Sequence, residues 1–274
     1  MGPLYAASET MMALEGGPLS VSLFEREDDE TEGWIELLYE AEPDAEAARL
    51  TARLPDDYPV TCEPLPDEDW VKLSQSGLPP VIAGRFALHG SHDAAPDGKL
   101  AILIEAGPAF GTGHHGTTRG CLLAFDALLE DGFAPASVLD VGTGTGALAI
   151  AARLALPGAE ILASDIDPDA VEESRRNAEK NGAADIDFFA ADGFDHVKLV
   201  ERDFDLVFAN ILARPLIELA PRIGQAMHEG SVAILSGLLE TQADEVSAAY
   251  LALGLHIERQ DPLEGWSTLV VQRR

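Results

Sequence analysis

The strand-turn-helix unit at residues 137–156 limits the fold of this chain more than any other feature. Its sequence, "SVLDVGTGTGALAIAARLAL", places a short apolar strand, a turn with three glycines and an apolar helix in direct succession. Glycines permit a tight turn and let a ligand approach the backbone, and the first amides of the following helix then face that ligand. The unit therefore predicts a ligand-binding loop at residues 142–146, between a strand and a helix.

The same alternation continues to the C-terminus. The expected strands cover residues 160–167, 186–193, 204–212, 231–237, 255–260 and 267–272, and the expected helices cover residues 147–156, 168–182, 213–228 and 238–252. Strands that alternate with helices are typical of a parallel sheet covered on both faces. The sequence therefore predicts an α/β fold with a doubly wound, mostly parallel sheet.

The first quarter of the chain follows a different pattern. Its periodicity predicts helices over residues 4–15 and 44–54, strands over 19–26, 34–41 and 58–65, and a turn over the acidic run 27–33. A short first strand near residues 3–5 would complete a βαββαβ unit, the ferredoxin-like arrangement. We therefore expect a small N-terminal α+β domain.

A boundary follows this domain. The stretch "EPLPDEDW" (63–70) is rich in proline and acidic residues, which is typical of a linker. We expect the small domain over residues 1–64, a linker over 65–80 with a short helix at 67–75, and the larger domain over 81–274. Two further strands are expected at the start of the larger domain, in "LPPVIAGRFALHG" and "KLAILIEAG".

The charge of the chain excludes some partners. With 18 basic and 48 acidic residues, the net charge is −30. Bare RNA or DNA would be repelled, whereas a basic protein would be attracted. Residues 25–46 contain eleven acidic residues and one basic residue, Arg26. The acidity indicates either a basic partner or merely solubility or salt adaptation, and the local density at 25–46 favours the partner.

The sequence gives little support for a membrane or secreted location, or for a disulfide framework or metal site. There is no apolar run of 18 residues or signal-peptide pattern, so no contact with a membrane is expected. The two cysteines, Cys62 and Cys121, fit neither a disulfide framework nor a metal site, which favours the reducing cytoplasm. His89, His92, His114 and His115 form no ordered ligand set, and no metal is expected.

Polar side chains follow three successive strands after the glycine loop. Counting from the strand before the glycine loop, Asp165 ends the second strand, Asp192 follows the third, and Asn210 ends the fourth. In an open α/β sheet, ligands bind outside the carboxyl ends of the strands. Each of these residues alone is also compatible with a helix cap or a turn. The glycine loop before them also fits the fingerprint of a dinucleotide-binding site.

Together these residues favour one ligand class. They offer acceptors for ribose hydroxyls and an adenine amino group, but no Arg or Lys is placed to hold a pyrophosphate. That combination favours S-adenosylmethionine over NAD or FAD.

Four motifs carry a resemblance to a known family. With "AFGTGHHGTTRGC" (109–121), "LDVGTGTGALAIAA" (139–152), "SDIDPDAV" (164–171) and "FDLVFANILARPLIELAP" (204–221), the chain resembles the PrmA family. The resemblance covers nearly the whole chain and is strongest over residues 107–221. One departure lies at residues 114–116, where His-His-Gly stands in place of the common Thr-His-Pro and His115 takes the position of the usual histidine.

This resemblance implies a fold and an activity. PrmA proteins are bacterial methyltransferases of the S-adenosylmethionine-dependent class I type that modify ribosomal protein L11 of the large subunit. The resemblance implies that the N-terminal domain recognises this basic protein. It also implies that the first loop, residues 109–120, folds over the cofactor, which the glycine loop at 142–146 would cradle. The cofactor contacts that we expect are Phe110, Thr118, Gly142, Gly144, Gly146, Asp165, Asp192 and Asn210. The histidine pair 114–115 either takes part in the first loop or is merely exposed.

Asn210 is the residue that we expect to carry the chemistry. Methyl transfer to an amine is an in-line displacement, for which the enzyme mainly aligns nucleophile and methyl group. The side-chain carbonyl of Asn210 accepts a hydrogen bond and would orient the amine, but it is no base, and the sequence indicates no general base. The leading hypothesis is N-methylation of lysine side chains or the N-terminal amine of the ribosomal protein. The alternatives are a small-molecule methyltransferase and a non-catalytic, cofactor-binding ribosome-assembly protein.

Overall fold

The computed structural model of the protein describes residues 18–26, 29–41, 43–55, 58, 60–64, 80–104 and 116–274, together with Leu4, Ala7, Thr10 and Met11. The chain divides into two compact units, Met1–Glu68 and Asp69–Arg274. The expected linker helix at 67–75, and the residues Phe110, His114 and His115, lie outside the described residues.

The first unit contains a hairpin and a short helix. Strands β1 (Ser20–Arg26) and β2 (Asp29–Leu38) pair antiparallel, and helix α1 (Ala45–Thr51) follows. The side chain of Asp44 accepts hydrogen bonds from the amides of Glu46 and Ala47, which is typical of an N-cap residue. Ala7 and Met11 pack with Ala52 in a small buried cluster.

Three expectations for the first unit differ from the structure. The acidic run expected as a turn contributes residues 29–33 to β2, because pairing with β1 overrides the low strand propensity of acidic residues. Leu4 is helical, so no strand forms at this residue. Residues 60–64, expected in the closing strand, are exposed and belong to no strand. Pro64 has no backbone N–H, and these residues bury no apolar face that would hold a strand in place. The ferredoxin-like arrangement therefore stays a prediction.

The second unit begins with a three-stranded sheet. Strands β3 (Val81–Ala83), β4 (Phe86–His89) and β5 (Leu100–Leu103) form it in this order, β3–β4 antiparallel and β4–β5 parallel. The sequence predicted one strand where β3 and β4 form a hairpin, since Gly84, with φ 57°, turns the chain back. Helix α2 (Gly116–Glu130) follows.

A seven-stranded sheet forms the rest of the unit. Its strands are β6 (Ser137–Val141), β7 (Glu160–Asp165), β8 (Asp187–Ala190), β9 (Phe204–Asn210), β10 (Met227–Leu239), β11 (His256–Leu263) and β12 (Trp266–Gln272). The helices between them are α3 (Ala147–Ala155), α4 (Pro168–Lys180), α5 (Ala213–Gln225) and α6 (Ala243–Leu251). The predicted doubly wound α/β fold is confirmed.

The strand order creates a crevice at the centre of the sheet. The order is β11-β12-β10-β9-β6-β7-β8, with β6 to β10 parallel and β12 antiparallel to both of its neighbours. From β6 the chain winds outward through β7 and β8 and then returns to β9, on the other side of β6. A ligand crevice is expected where the winding reverses, outside the carboxyl ends of β6 and β9.

Alternating side chains of the central strands enter two separate cores. Val138 and Phe208 face the core formed with α2 and α3, whereas Leu139 and Val207 face the other core. Asp140 and Asn210 follow the alternation of Val138 and Phe208 and therefore lie on the α2 side of the sheet. No helix in the described part of the chain is long and apolar enough to cross a membrane.

Candidate functional site

The glycine loop after β6 depends on backbone angles that favour glycine. Gly142, Gly144 and Gly146 have φ values of 73°, 54° and 82°. At Gly142 a Cβ atom would lie 2.3 Å from Cγ2 of Ile211, so a larger residue would also collide with the chain after β9. The amides of Gly142 and Thr143 donate to the carbonyl of Ser164 at 2.8 and 2.9 Å. The loop is therefore fixed against the end of β7.

Asp165 holds the middle of the same loop. Its Oδ2 accepts from the amide of Gly144 at 2.9 Å, and its Oδ1 accepts from the amide of Asp167 at 3.0 Å. Asp167 is the N-cap of α4, with its own side chain accepting from the amide of Asp169. The helix-cap alternative for Asp165 is thus wrong, and its carboxylate lies beside the glycine loop with lone pairs to spare.

Helix α3 begins directly at the loop. Gly146 is its N-cap in the left-handed conformation, and no side chain caps the helix there. The first amides of a helix carry partial positive charge and are favourable to polar or anionic ligand groups. The loop therefore presents backbone donors, while Asp165 presents acceptors.

Asn210 and Thr118 meet across the crevice. The Nδ2 of Asn210 donates to Oγ1 of Thr118 at 3.2 Å, which joins the end of β9 to the first turns of α2. The Oδ1 of Asn210 is buried and has no hydrogen-bond partner among the residues that the structure describes. An unpaired buried carbonyl costs free energy, on the order of 1–3 kcal/mol, and so indicates a missing donor. The donor of a bound ligand would fill this position.

Sequence reasoning missed the buried carboxyl group of Asp140 at the end of β6. Burial raises the pKa of this group to about 7, and the nearby Asp165 adds to the rise. Hydrogen bonds from the Thr143 hydroxyl, at 2.6 Å, and from the Ala149 amide oppose it. The signal was present, since an acidic residue inside an apolar strand is rare unless it has a partner.

Two exposed apolar side chains were also missed. Ile166 follows Asp165 and is 68% exposed, and Leu212 follows β9 at 69% exposure. Both lie in the loops at the carboxyl ends of strands, where an apolar ligand face would cover them. The sequence signal is their position directly beside the polar residues that were singled out.

Asp192 is brought to the same edge of the sheet but is not tied to the other site residues. It lies exposed in the turn after β8, and its carbonyl accepts from the amide of Asp195 at 3.0 Å. Its neighbour Gly193 has a φ of 55°, which supports a fixed turn at this point.

The described residues contain no group of three or more His, Cys, Asp or Glu side chains that could hold a metal ion. His89 contacts the carbonyl of Gly90, and His92 lies 3.2 Å from a carboxylate oxygen of Asp93. Neither histidine takes part in the site between β6 and β9.

Known proteins are similar to this chain over nearly its full length. Residues 10–274 match the family model described as ribosomal protein L11 methyltransferase (PrmA). The L11 methyltransferase of Rhodopseudomonas palustris is 45% identical over 269 residues, covering 95% of this chain and 90% of that protein. That of Brucella abortus is 47% identical over 260 residues, with 92% and 88% covered. A crystal structure of ribosomal protein L11 methylase from Lactobacillus delbrueckii aligns with a TM-score of 0.61 at 29% identity, covering 69% of this chain and 95% of that one.

Proposed function

The chain belongs to the ribosomal protein L11 methyltransferase family, and from this premise we propose that it methylates amino groups of ribosomal protein L11. The acceptors are lysine side chains, the N-terminal amine or both. S-adenosylmethionine is the methyl donor, because its positively charged sulfonium carries an activated methyl group.

The residues at the carboxyl edge of the sheet fit this cofactor. The glycine loop, Gly142, Gly144 and Gly146, would hold it with backbone amides, and Asp165 would accept from its ribose. Residues 137–149 contain no Lys or Arg, so they offer no charge for a pyrophosphate, which favours S-adenosylmethionine over a dinucleotide. We assign Asp192 to the adenine amino group. Phe110 and Thr118 remain proposed contacts from family resemblance.

Asn210 aligns the acceptor amine. Its free Oδ1 accepts an N–H of the amine, which turns the nitrogen lone pair away from Oδ1 and towards the methyl group. Thr118 fixes the amide by accepting from Nδ2 at 3.2 Å, so that the carbonyl side faces the ligand. A partly buried environment disfavours the ammonium form of lysine, and a neutral amine is the nucleophile. Asn210 orients this amine and does not remove its proton.

The charge of the chain supports the choice of partner. A net charge of −30 attracts a basic ribosomal protein and accelerates the encounter. We propose that residues 1–64 recognise this protein, that 65–80 link the two parts, and that 81–274 carry the catalytic site. The cytoplasm, where ribosomes assemble, is the proposed location.

The buried, unpartnered Oδ1 of Asn210 is the observation that carries this proposal. The test incubates the purified chain with methyl-labelled S-adenosylmethionine and L11, followed by mass mapping of the product. L11 whose amino groups have been acetylated serves as the control.

We expect label on amino groups of untreated L11 and none on the acetylated protein. Equal labelling of both would exclude amine methylation. Binding of the cofactor without transfer would favour the non-catalytic alternative, and transfer to small amines but not to L11 would favour the small-molecule alternative.

A further inference from the structure

Two asparagines on helix α4 join regions of the chain that are far apart in sequence. Asn177 and Asn181 are one helical turn apart on α4 and its C-cap. Asn177 contacts the glycine loop, 32 residues away, and Asn181 contacts the end of β5, 78 residues away. The latter strand leads into residues 105–115, which carry the Ala-Phe-Gly-Thr-Gly motif.

Asn181 pairs with Leu103 as a neighbouring strand would. Its Oδ1 accepts from the amide of Leu103 at 2.8 Å, and its Nδ2 donates to the carbonyl of Leu103 at 2.8 Å. On the other side of β5, His89 is the strand partner of Leu103, and its carbonyl accepts from the amide of Ile104 at 3.0 Å. The end of β5 is therefore held from both sides.

Asn177 holds the glycine loop from the same helix. It is 2% exposed, and its Nδ2 donates to the carbonyl of Thr145 at 3.0 Å. One turn earlier, Ser174 lies so close that a Cβ at Gly146 would be 3.0 Å from its own Cβ. Helix α4 thus packs directly against the loop, and the amide of Asn177 fixes the carbonyl between two of its glycines.

A further hydrogen bond joins the two anchors. The Nδ2 of Asn181 also donates to the backbone carbonyl of Asn177 at 2.8 Å. Hydrogen bonds and the covalent frame of Asn177 therefore link Leu103 through Asn181 and Asn177 to Thr145.

We infer that Asn177 and Asn181 are positioning residues of the cofactor site, which set the glycine loop relative to the end of β5. This inference rests on the proposed function, because it takes the glycine loop as the cofactor cradle. Neither side chain touches the ligand in this scheme. Both act through the backbone of Thr145 and Leu103, so their loss weakens cofactor binding and leaves the aligned acceptor amine unaffected.

Position 181 requires asparagine because both the oxygen and the nitrogen of its side-chain amide form hydrogen bonds. Aspartate has the same shape and keeps one acceptor for the amide of Leu103. Its second oxygen, however, would face the carbonyls of Leu103 and Asn177, where Nδ2 now donates. Asn181→Asp therefore turns two attractive contacts into repulsive ones, whereas Asn181→Ala only removes them.

The test measures the Kd of S-adenosylmethionine by calorimetry for the full chain and for Asn181→Asp, Asn181→Ala and Asn177→Ala. The matched control is Arg175→Ala, which removes a bond of 2.5 Å from the same helix to the carbonyl of Phe188, inside β8. All measurements are made at a temperature at which melting curves show every variant folded.

We expect the Kd to rise about tenfold for Asn181→Asp and less for the alanine variants, as for the loss of one or two hydrogen bonds. The KM for the cofactor should rise in parallel, with kcat and the KM for L11 near their wild-type values. Arg175→Ala should keep the wild-type Kd. The Kd of the double variant Asn177→Ala/Asn181→Ala should rise by a smaller factor than the product of the two factors measured for the single variants.

Wild-type affinity in the asparagine variants, with only a lower melting temperature, would overturn the inference and leave a purely structural role. A fall in kcat with unchanged KM for the cofactor would also overturn it. If the unaltered chain fails to bind S-adenosylmethionine, the proposed function itself is wrong, which is a separate outcome.

Discussion

The polar groups at the two ends of strands β6, β9 and β10 differ in how fully they are hydrogen-bonded. At the amino ends, Oδ2 of Asp205 accepts from the amides of Ala136 and Ser137 and from the Ser137 hydroxyl at 2.8–3.0 Å, and its Oδ1 meets Nε2 of His228 at 3.0 Å. At the carboxyl ends, Oδ1 of Asn210 is buried without a partner in the described part of the chain, and the buried carboxyl of Asp140 has a raised pKa.

This difference indicates that the polar groups at the amino ends contribute to stability, whereas those at the carboxyl ends serve function. A carboxylate with four donors repays its desolvation within the fold, so the amino end needs no ligand. The carboxyl end contains groups whose burial is unfavourable in the protein alone, which is typical of a site that a ligand completes. Substitutions at the two ends should therefore affect different measurements, and the following experiments test that separation.

The largest effect is expected at Asn210. Asn210→Ala should lower the rate of methyl transfer about 100-fold, because the acceptor amine is no longer aligned. Its melting temperature should fall only modestly, since the bond lost is the 3.2 Å bond from Nδ2 to Thr118, while the unfavourable burial of Oδ1 is relieved. Single-turnover rates at saturating cofactor measure this, with Asn210→Asp, which keeps an acceptor, expected between Ala and wild type. Wild-type rates in Asn210→Ala would show that the active site lies elsewhere.

Asp165 should affect binding rather than rate. Asp165→Ala should raise the Kd of S-adenosylmethionine about 30-fold, because the ribose acceptor and the bond to the Gly144 amide are lost together. The matched control is Asp167→Ala, which removes a neighbouring carboxylate that only caps α4. Calorimetry on both variants decides the point. Equal losses of affinity would refute a specific role for Asp165.

At the opposite end, Asp205→Ala should destabilise the fold without affecting catalysis. The loss of its hydrogen bonds leaves the amides of Ala136 and Ser137 unpaired at a partly exposed site, which costs about 1.5 kcal/mol of unfolding free energy. Denaturant unfolding measures that loss. Below the melting temperature, kcat and both KM values should equal those of the wild type, and a changed kcat would show that the two ends are coupled.

The regularity of the larger domain made most of its fold predictable. Helix 147–156 and the strand at Asp165 are confirmed because buried parallel strands and their helices are apolar runs with local start and stop signals, such as Pro168 and Gly182. The acidic residues 29–33 were misassigned because strand pairing is non-local, and the partner strand decides their conformation.

The placement of the proposed site residues at one edge of the sheet was predictable, but their contacts were not. Strand ends could be located from the sequence, which brought Asp165 and Asn210 to one edge. The bond from Asn210 to Thr118 spans 92 residues, and the bonds between Asn181 and Leu103 span 78. No local pattern encodes such contacts, because they depend on how α2 and α4 pack on the sheet.

The last comparison concerns pH, because the titratable groups at the two ends affect stability over different pH ranges. Burial raises the pKa of Asp140 from its ordinary 3.8 to about 7. As pH rises from about 4 to 7, this carboxyl group ionises in the unfolded chain before it ionises in the folded protein, so the folded protein loses stability. Bonds to the Glu229 carbonyl and to Asp205 raise the pKa of His228 above 6.5. Its contribution is therefore complete below 6.5 and is lost as pH rises through the higher folded value.

Asp205 shows the reverse sign, since the bonds that it accepts hold its pKa below 3.8, and its contribution is lost only in acid as pH falls through that lower value. Asp140→Asn should flatten the dependence of unfolding free energy on pH between about 4 and 7, whereas His228→Asn should flatten it only above about 6.5. Urea unfolding at half-unit pH steps measures both slopes. Because His228 is 42% exposed, its effect should be the weaker one and should shrink further in salt. If the two variants changed the slope over the same pH range, the titratable groups at the two ends of the strands would not differ in the way that we infer.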